Sequence, residues 1–325
     1  MKQQSKKITL THLHIHPLFP FESLLSLYLN RVCPDGPGTC VSYSSTGFIL
    51  AGLVLLNHAP KDQNTWETYD QKQGLGLTPD DKDSAHTHFP RVGTMADPTL
   101  LTTAGSSLQY GQAEVYKQDA SILGWTCGNG ISSALDAALF EYDLLSPGFD
   151  HTSSTTPGKN VRDRRQIVSN ASLAQMLQFK TLSVGWAKGE VDYGGGLMVQ
   201  NVNIKYAGKE WEHKPPPHNV PLSYYGHGGD TYGYMSDSGY FPLLQASISV
   251  IVNQDSDYIY PSYVVTCNIA KFVMQRLKMD TSDVRCLPAF PSRFSCQEMY
   301  GEKVCAPAQY HQNGSSLEDC QKSCA

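Results

Sequence analysis

The stretch SYYGHGGDTYGYMSDSGYFP, residues 223–242, crowds tyrosines and glycines around a single histidine. Its aromatic residues read as a strand, yet a strand that served only packing would not need this mixture. Glycine inside a strand weakens it and marks a place where a ligand or another backbone comes close. Gly226, Gly228 and Gly229 around His227 therefore raise the question of what this backbone has to let in.

The texture on either side settles the fold class. From about residue 181 the chain reads as strands: TLSVGWA (181–187), GLMVQNVNI (196–204), the opening stretch, then QASISVIVN (245–253) with its β-branched run. YPSYVVTCNIAKFVMQRLKM (260–279) closes as an amphipathic helix. Upstream, SLLSLYLNRV (23–32) has helical spacing, and the apolar run GFILAGLVLL (47–56) reads as a core helix with Ser45 or Thr46 as N-cap. A short helix is expected around 64–72, an exposed loop at 78–90, and a helical piece at 173–179. GWTCGNGISSALDAALFEYDLL (124–145) passes from a glycine turn into a helix that Ser133 and Asp136 start like a capping box. Helices, then strands, then a helix predict α+β with an antiparallel sheet.

Composition excludes some classes. Across 325 residues the net charge is −5 with no basic block, so neither nucleic acid nor an anionic membrane is an expected partner. The longest apolar run is too short to span a bilayer. Nine cysteines include Cys296, Cys305, Cys320 and Cys324 within the last thirty residues, and Cys33 and Cys40 bracket a Pro/Gly turn. Without a C-x-x-C, disulfides are the stronger reading, and an odd count leaves at least one thiol outside any intrachain bridge. Asn170 and Asn313 sit in glycosylation sequons, in keeping with secretion. The opening MKQQSKKITLTHLHIH has neither the apolar core nor the cleavage site of a signal peptide, so the expectation is that the natural start lies further upstream. The expected division is a main domain over 1–280, a linker over 281–295 and a disulfide-rich tail over 296–325.

Three boxes in order carry a family resemblance. VSYSSTGFILAGLVLL (41–56) resembles the Tyr-x-Asn box and following helix of the serine β-lactamase-related and D-alanyl-D-alanine carboxypeptidase family, in its class C and esterase-like branch. GWTCGNGISSALDAALF (124–140) resembles that branch's glycine turn, and YYGHGGDTYGY (224–234) its Lys- or His-x-Gly strand. ITLTHLHIH (8–16) also looks like the helix that precedes the Tyr box. The resemblance covers roughly residues 7–279. It implies a β-lactamase/transpeptidase-like fold and an acyl-enzyme mechanism on a small amide, ester or peptide, with no cofactor. It further implies that Tyr43 is the acid/base, that Ser45 and His227 contact the substrate, and that Gly228 and Gly229 give the substrate room against the strand. The N–H of Asp230 would supply half of an oxyanion hole.

Two departures qualify this. Ser45 stands where the family has asparagine. No serine stands three residues before any lysine; Thr156-Pro-Gly-Lys159 is the nearest pattern. The family's Ser-x-x-Lys nucleophile box lies upstream of the ITLTHLHIH segment, so the first helix and the nucleophile helix are expected to be missing from this chain. That leaves an incomplete serine hydrolase or a non-catalytic secreted binding protein that keeps the cleft. The histidine runs 12–16 and 86–88 offer too few ligands for a metal reading, so no metal is expected.

Overall fold

The computed structural model describes residues 39–77, 81–90, 106–107, 113–114, 124–149, 165–185, 188–203, 221–231, 233–255, 261–286, 294–299, 302–307 and 317–324. The 23–32 segment, Cys33, His12 to His16, Thr156 to Lys159 and Asn313 lie outside them. In chain order the helices are α1 (Ser45–Leu56), α2 (Gln71–Gly74), α3 (Trp125–Gly128), α4 (Ala134–Phe149), α5 (Asn170–Met176), α6 (Pro261–Arg276) and α7 (Leu317–Cys324). The strands are β1 (Ser106–Ser107), β2 (Ala113–Glu114), β3 (Lys180–Thr181), β4 (Asp192–Tyr193), β5 (Met198–Asn201), β6 (Ser223–Thr231), β7 (Tyr234–Phe241), β8 (Ala246–Val252), β9 (Gln254–Asp255), β10 (Phe294–Met299) and β11 (Glu302–Pro307).

β3 to β8 form a six-stranded sheet in sequence order, every neighbour antiparallel. This is the expected α+β arrangement, an antiparallel sheet flanked by helices. Successive strand residues point to opposite faces, and the sequence fills both. Tyr225 and its register partner Tyr240 join Val199, Leu144 and Leu145 of α4 and Leu173 of α5 in one cluster. Tyr224 and Phe241, stacked with ring centroids 4.7 Å apart, join Cys267, Ala270 and Met274 of α6 in another. Each fully buried side chain of this size stabilises the fold by about 1.5–3 kcal/mol.

α6 shows why the sequence folds so. Val264, Cys267, Ala270 and Met274 recur at helical spacing and are all buried. Pro261 suits the first turn, where its missing N–H costs nothing, and Lys278, at φ 58°, lies just past the helix end. A disulfide joins Cys267 to Cys286, and Val284 is buried in the same cluster. In the tail, β10 and β11 pair as an antiparallel hairpin, and Cys296 is bridged to Cys324 of α7. Cys40 and Cys320 are also disulfide-bonded, whereas Cys127 is in no disulfide among the described residues.

Several elements differ from the sequence reading. Ser44, not Ser45 or Thr46, caps α1: its backbone is extended and its hydroxyl accepts from the Gly47 N–H. α1 is also not a core helix, because only Gly52 and Leu56 are buried while Val54 and Leu55 are exposed. It packs through Gly52 onto Trp125 and Thr126 of α3. The 64–72 helix shrinks to α2, started by Asp70, whose side chain accepts from the Gln73 N–H. TLSVGWA supplies only Thr181, the second residue of β3, because Ser183 and Val184 beyond it donate to the Val41 carbonyl instead.

Candidate functional site

Tyr43 is held at the sheet margin from both sides. The Val41 N–H donates to Ser183 Oγ (2.8 Å), and the Ser183 N–H donates back to the Val41 carbonyl (2.8 Å). Val41, Tyr43 and Phe48 then pack on a cluster of Leu182, Tyr193 and Met198. The Tyr43 ring lies 5.4 Å from Tyr193, edge-on, and 5.9 Å from His227, centroid to centroid. Two boxes almost two hundred residues apart in sequence thus meet side chain to side chain.

β6 runs from buried to open. Ser223 to Gly226 are buried, His227 and Gly228 half-buried, and Gly229, Asp230 and Thr231 exposed. The His227 ring is edge-on to Tyr193 at 5.7 Å, and Tyr193 Oη lies 3.1 Å from His227 Nε2. His227 Nδ1 lies 2.5 Å from the Gly228 carbonyl. Burial pushes the His227 pKa below its ordinary value, with the Gly228 contact working the other way. Burial, with Tyr43 adding to it, pushes the Tyr193 phenol up.

The glycines differ in what surrounds them. A Cβ on Gly226 would meet backbone at 2.0 Å, while one on Gly228 would find nothing nearer than 3.5 Å. Gly226 is needed by the sheet, and Gly228 leaves space. Asp230 pairs with Met235 on β7, at the strand's open end.

Ser45, the first residue of α1, hydrogen-bonds the Cys127 side chain of α3; burial raises the Cys127 pKa and this bond lowers it in part. At the start of α4 Ser133 engages Asp136 three residues on, as read from the sequence, but the carboxylate meets the Ser133 hydroxyl. Ser133 Oγ donates to Asp136 Oδ1 (2.9 Å) and accepts from the Asp136 N–H (3.1 Å). Asp136 also accepts from the His86 N–H (2.8 Å) and the Thr87 hydroxyl (3.1 Å), tying the 86–88 segment to α4. Burial works to raise the Asp136 pKa, but these bonds and the His86 ring outweigh it and hold it low. Asp136 is a structural anchor. Among the described residues no three His, Cys, Asp or Glu side chains gather as metal ligands.

Tyr193 is the site residue that sequence reasoning missed. The signal was VDYGGGL: a tyrosine before three glycines sits where a strand ends in a turn. There the Gly195 N–H donates to the Met176 carbonyl at the end of α5.

No protein-family model and no curated protein matches the chain. Three solved structures similar to it cover much of its length. D-amino acid amidase from Ochrobactrum anthropi SV3 complexed with L-phenylalanine amide has a TM-score of 0.48 at 16% identity, covering 75% of this chain and 60% of that one. A D-stereospecific amidohydrolase from Streptomyces sp. has 0.41 at 20% identity, over 67% and 52%. A β-lactamase/D-alanine carboxypeptidase from Pseudomonas syringae has 0.40 at 15% identity, over 72% and 59%. The chain spans between half and two thirds of the length of each.

Proposed function

We propose that the chain is a β-lactamase-related serine hydrolase domain whose cleft is shaped for acyl transfer on a small amide or ester. The observation that carries this is the meeting of Tyr43 with His227, the two residues that the resemblance singles out independently. Tyr43 would act as acid/base toward the leaving group. His227, Gly228 and Gly229 would line the substrate's path, and the Asp230 N–H would face the developing oxyanion. Ser45 would lie at the mouth, where its hydroxyl is shared with Cys127. Disulfides and the sequon at Asn170, exposed at the start of α5, support an extracellular setting. The hairpin and helix of the tail would be a separate stabilising module.

No Ser-x-x-Lys occurs in the 325 residues, and this favours a second reading, a binding protein that uses the same cleft without turnover. Incubation with a fluorescent β-lactam and a fluorophosphonate tests whether this polypeptide binds such ligands and whether it forms an acyl-enzyme with them. We expect ligand binding at Tyr43 and His227 with no covalent labelling. Labelling would show that this polypeptide carries a nucleophile of its own and would overturn the binding-protein reading. Absence of any ligand effect on Tyr43 or His227 would overturn the cleft itself.

A further inference from the structure

The His227 ring has no hydrogen-bonding capacity left over. A carbonyl oxygen can only accept, so the contact with Gly228 O requires the proton on Nδ1. In the neutral ring Nε2 is then the acceptor, and the Tyr193 hydroxyl must be its donor. Among the described residues no carboxylate pairs with His227 to hold a second proton. The side chains set against its ring are Tyr43 and Tyr193, neither a carboxylate nor a cation.

We propose that Tyr193 is a positioning residue that locks His227 as the neutral, Nδ1-protonated tautomer, and that the cleft so locked takes ligands ending in an uncharged carboxamide or ester and refuses the same ligand ending in a free carboxylate. This deepens the proposed function and rests on it only for where the ligand lies; the tautomer stands on its own. A carboxylate beside this ring would need an N–H donor or a cation. The ring has neither to spare, and its aromatic surroundings make an unpaired charge costly. A carboxamide brings its own N–H groups. The Tyr193 oxygen, donating to Nε2, keeps lone pairs to accept one. An ester brings no charge to desolvate. The ligand would enter over Gly228 and the exposed end of β6.

The test uses the full chain with 15N-labelled histidine, the His227 signals being assigned with His227→Gln. Long-range proton–nitrogen spectra at neutral pH should show Nδ1 protonated and Nε2 not. In Tyr193→Phe, which keeps the ring and loses the donor, the Nε2-protonated form should appear. N-acetylphenylalaninamide and N-acetylphenylalanine, both enantiomers of each, are then titrated. At least one amide should bind roughly tenfold tighter than its acid, about 1.4 kcal/mol, and Tyr193→Phe should erase most of that preference. An Nε2-protonated ring in the unmodified chain, an unchanged tautomer in Tyr193→Phe, equal binding of acid and amide, or binding of neither would each overturn the proposal. Labelling results with acyl probes bear on the hydrolase reading alone and leave the tautomer and the preference standing.

Discussion

The three glycines around His227 make a graded prediction, because each would meet a different neighbour on gaining a methyl group. In Gly226→Ala the new carbon would sit 2.0 Å from the Ser238 carbonyl oxygen and 2.5 Å from Gly239 Cα. Carbon–oxygen contacts between strands ordinarily lie at about 3.3–3.6 Å, so β6 and β7 would have to part by more than an ångström. Both neighbours are backbone, and no rotamer change can relieve them. Overpacking of this kind costs about 1–3 kcal/mol. The smaller conformational freedom of unfolded alanine returns about 0.4–1 kcal/mol. The net loss of roughly 1–2 kcal/mol is worth about 1.5–3 °C in melting temperature for a chain this long. Gly229→Ala would meet only the Ser236 hydroxyl, at 2.4 Å, and that side chain can rotate. Gly228→Ala would find Gln200 Nε2 at 3.5 Å and the Ser236 carbonyl at 3.8 Å, which is ordinary contact. Thermal melts followed by circular dichroism should therefore rank Gly226→Ala well below the other two, with Gly228→Ala at or slightly above the unmodified chain. Equal melting of Gly226→Ala and Gly228→Ala would refute the reasoning. A Gly228→Ala variant that melts normally and still loses amide binding would show that its space serves the ligand.

Three other outcomes follow from the same structure. Burial pushes Glu141 up to about 8 and Asp237 up to about 6, the latter against hydrogen bonds from Tyr224 and Thr266. Both lie above their unfolded values, so the folded state holds protons that the unfolded state releases, and these two groups erode stability as pH rises from about 4 through 6 to 8. Glu141→Gln should flatten the upper part of that decline in urea titrations, and an unchanged slope between pH 6 and 8 would count against its buried carboxyl. Replacing both Cys267 and Cys286 by serine opens a bridge spanning 19 residues. The loop-entropy relation puts this at about 3 kcal/mol; a urea-derived loss below about 1 kcal/mol would mean that the bridge constrains little. Ser45→Ala removes the hydrogen bond that lowers the Cys127 pKa. Alkylation of Cys127 by iodoacetamide near pH 8 should slow, and a faster reaction would show that Ser45 acts instead by shielding the thiol.

Much of the fold was legible because period and punctuation agreed. QASISVIVN became β8, the 260–279 segment became α6, and the Ser133/Asp136 box opened α4. The failures came where local pattern was overruled by packing or by a nearer cap. GFILAGLVLL is apolar on every side, so periodicity could not say which face would be covered; contact with α3 through Gly52 decided that. Ser44, Ser45 and Thr46 are all acceptable caps, and only the extended backbone of Ser44 separates them. β4 has two residues, too few for any alternation to show.

The site was legible in its two ends and silent in the middle. A tyrosine box and a glycine-flanked histidine could each be read as short motifs, because their chemistry is local. Their meeting could not, since it depends on Val41 being tied to Ser183 and on where the 41–43 segment crosses the sheet margin. Tyr193 belongs to neither motif and acts through a third element. Its hydroxyl decides what His227 can offer a ligand, although the residue type at 227 suggests a donor or a cation. A histidine's role is set by whichever groups hold its two nitrogens, and here both are held by the protein itself. The resemblance therefore singles out His227 and leaves its polarity open. That polarity is a property of the folded neighbourhood, and under the proposal above it is what makes the position favour uncharged ligands.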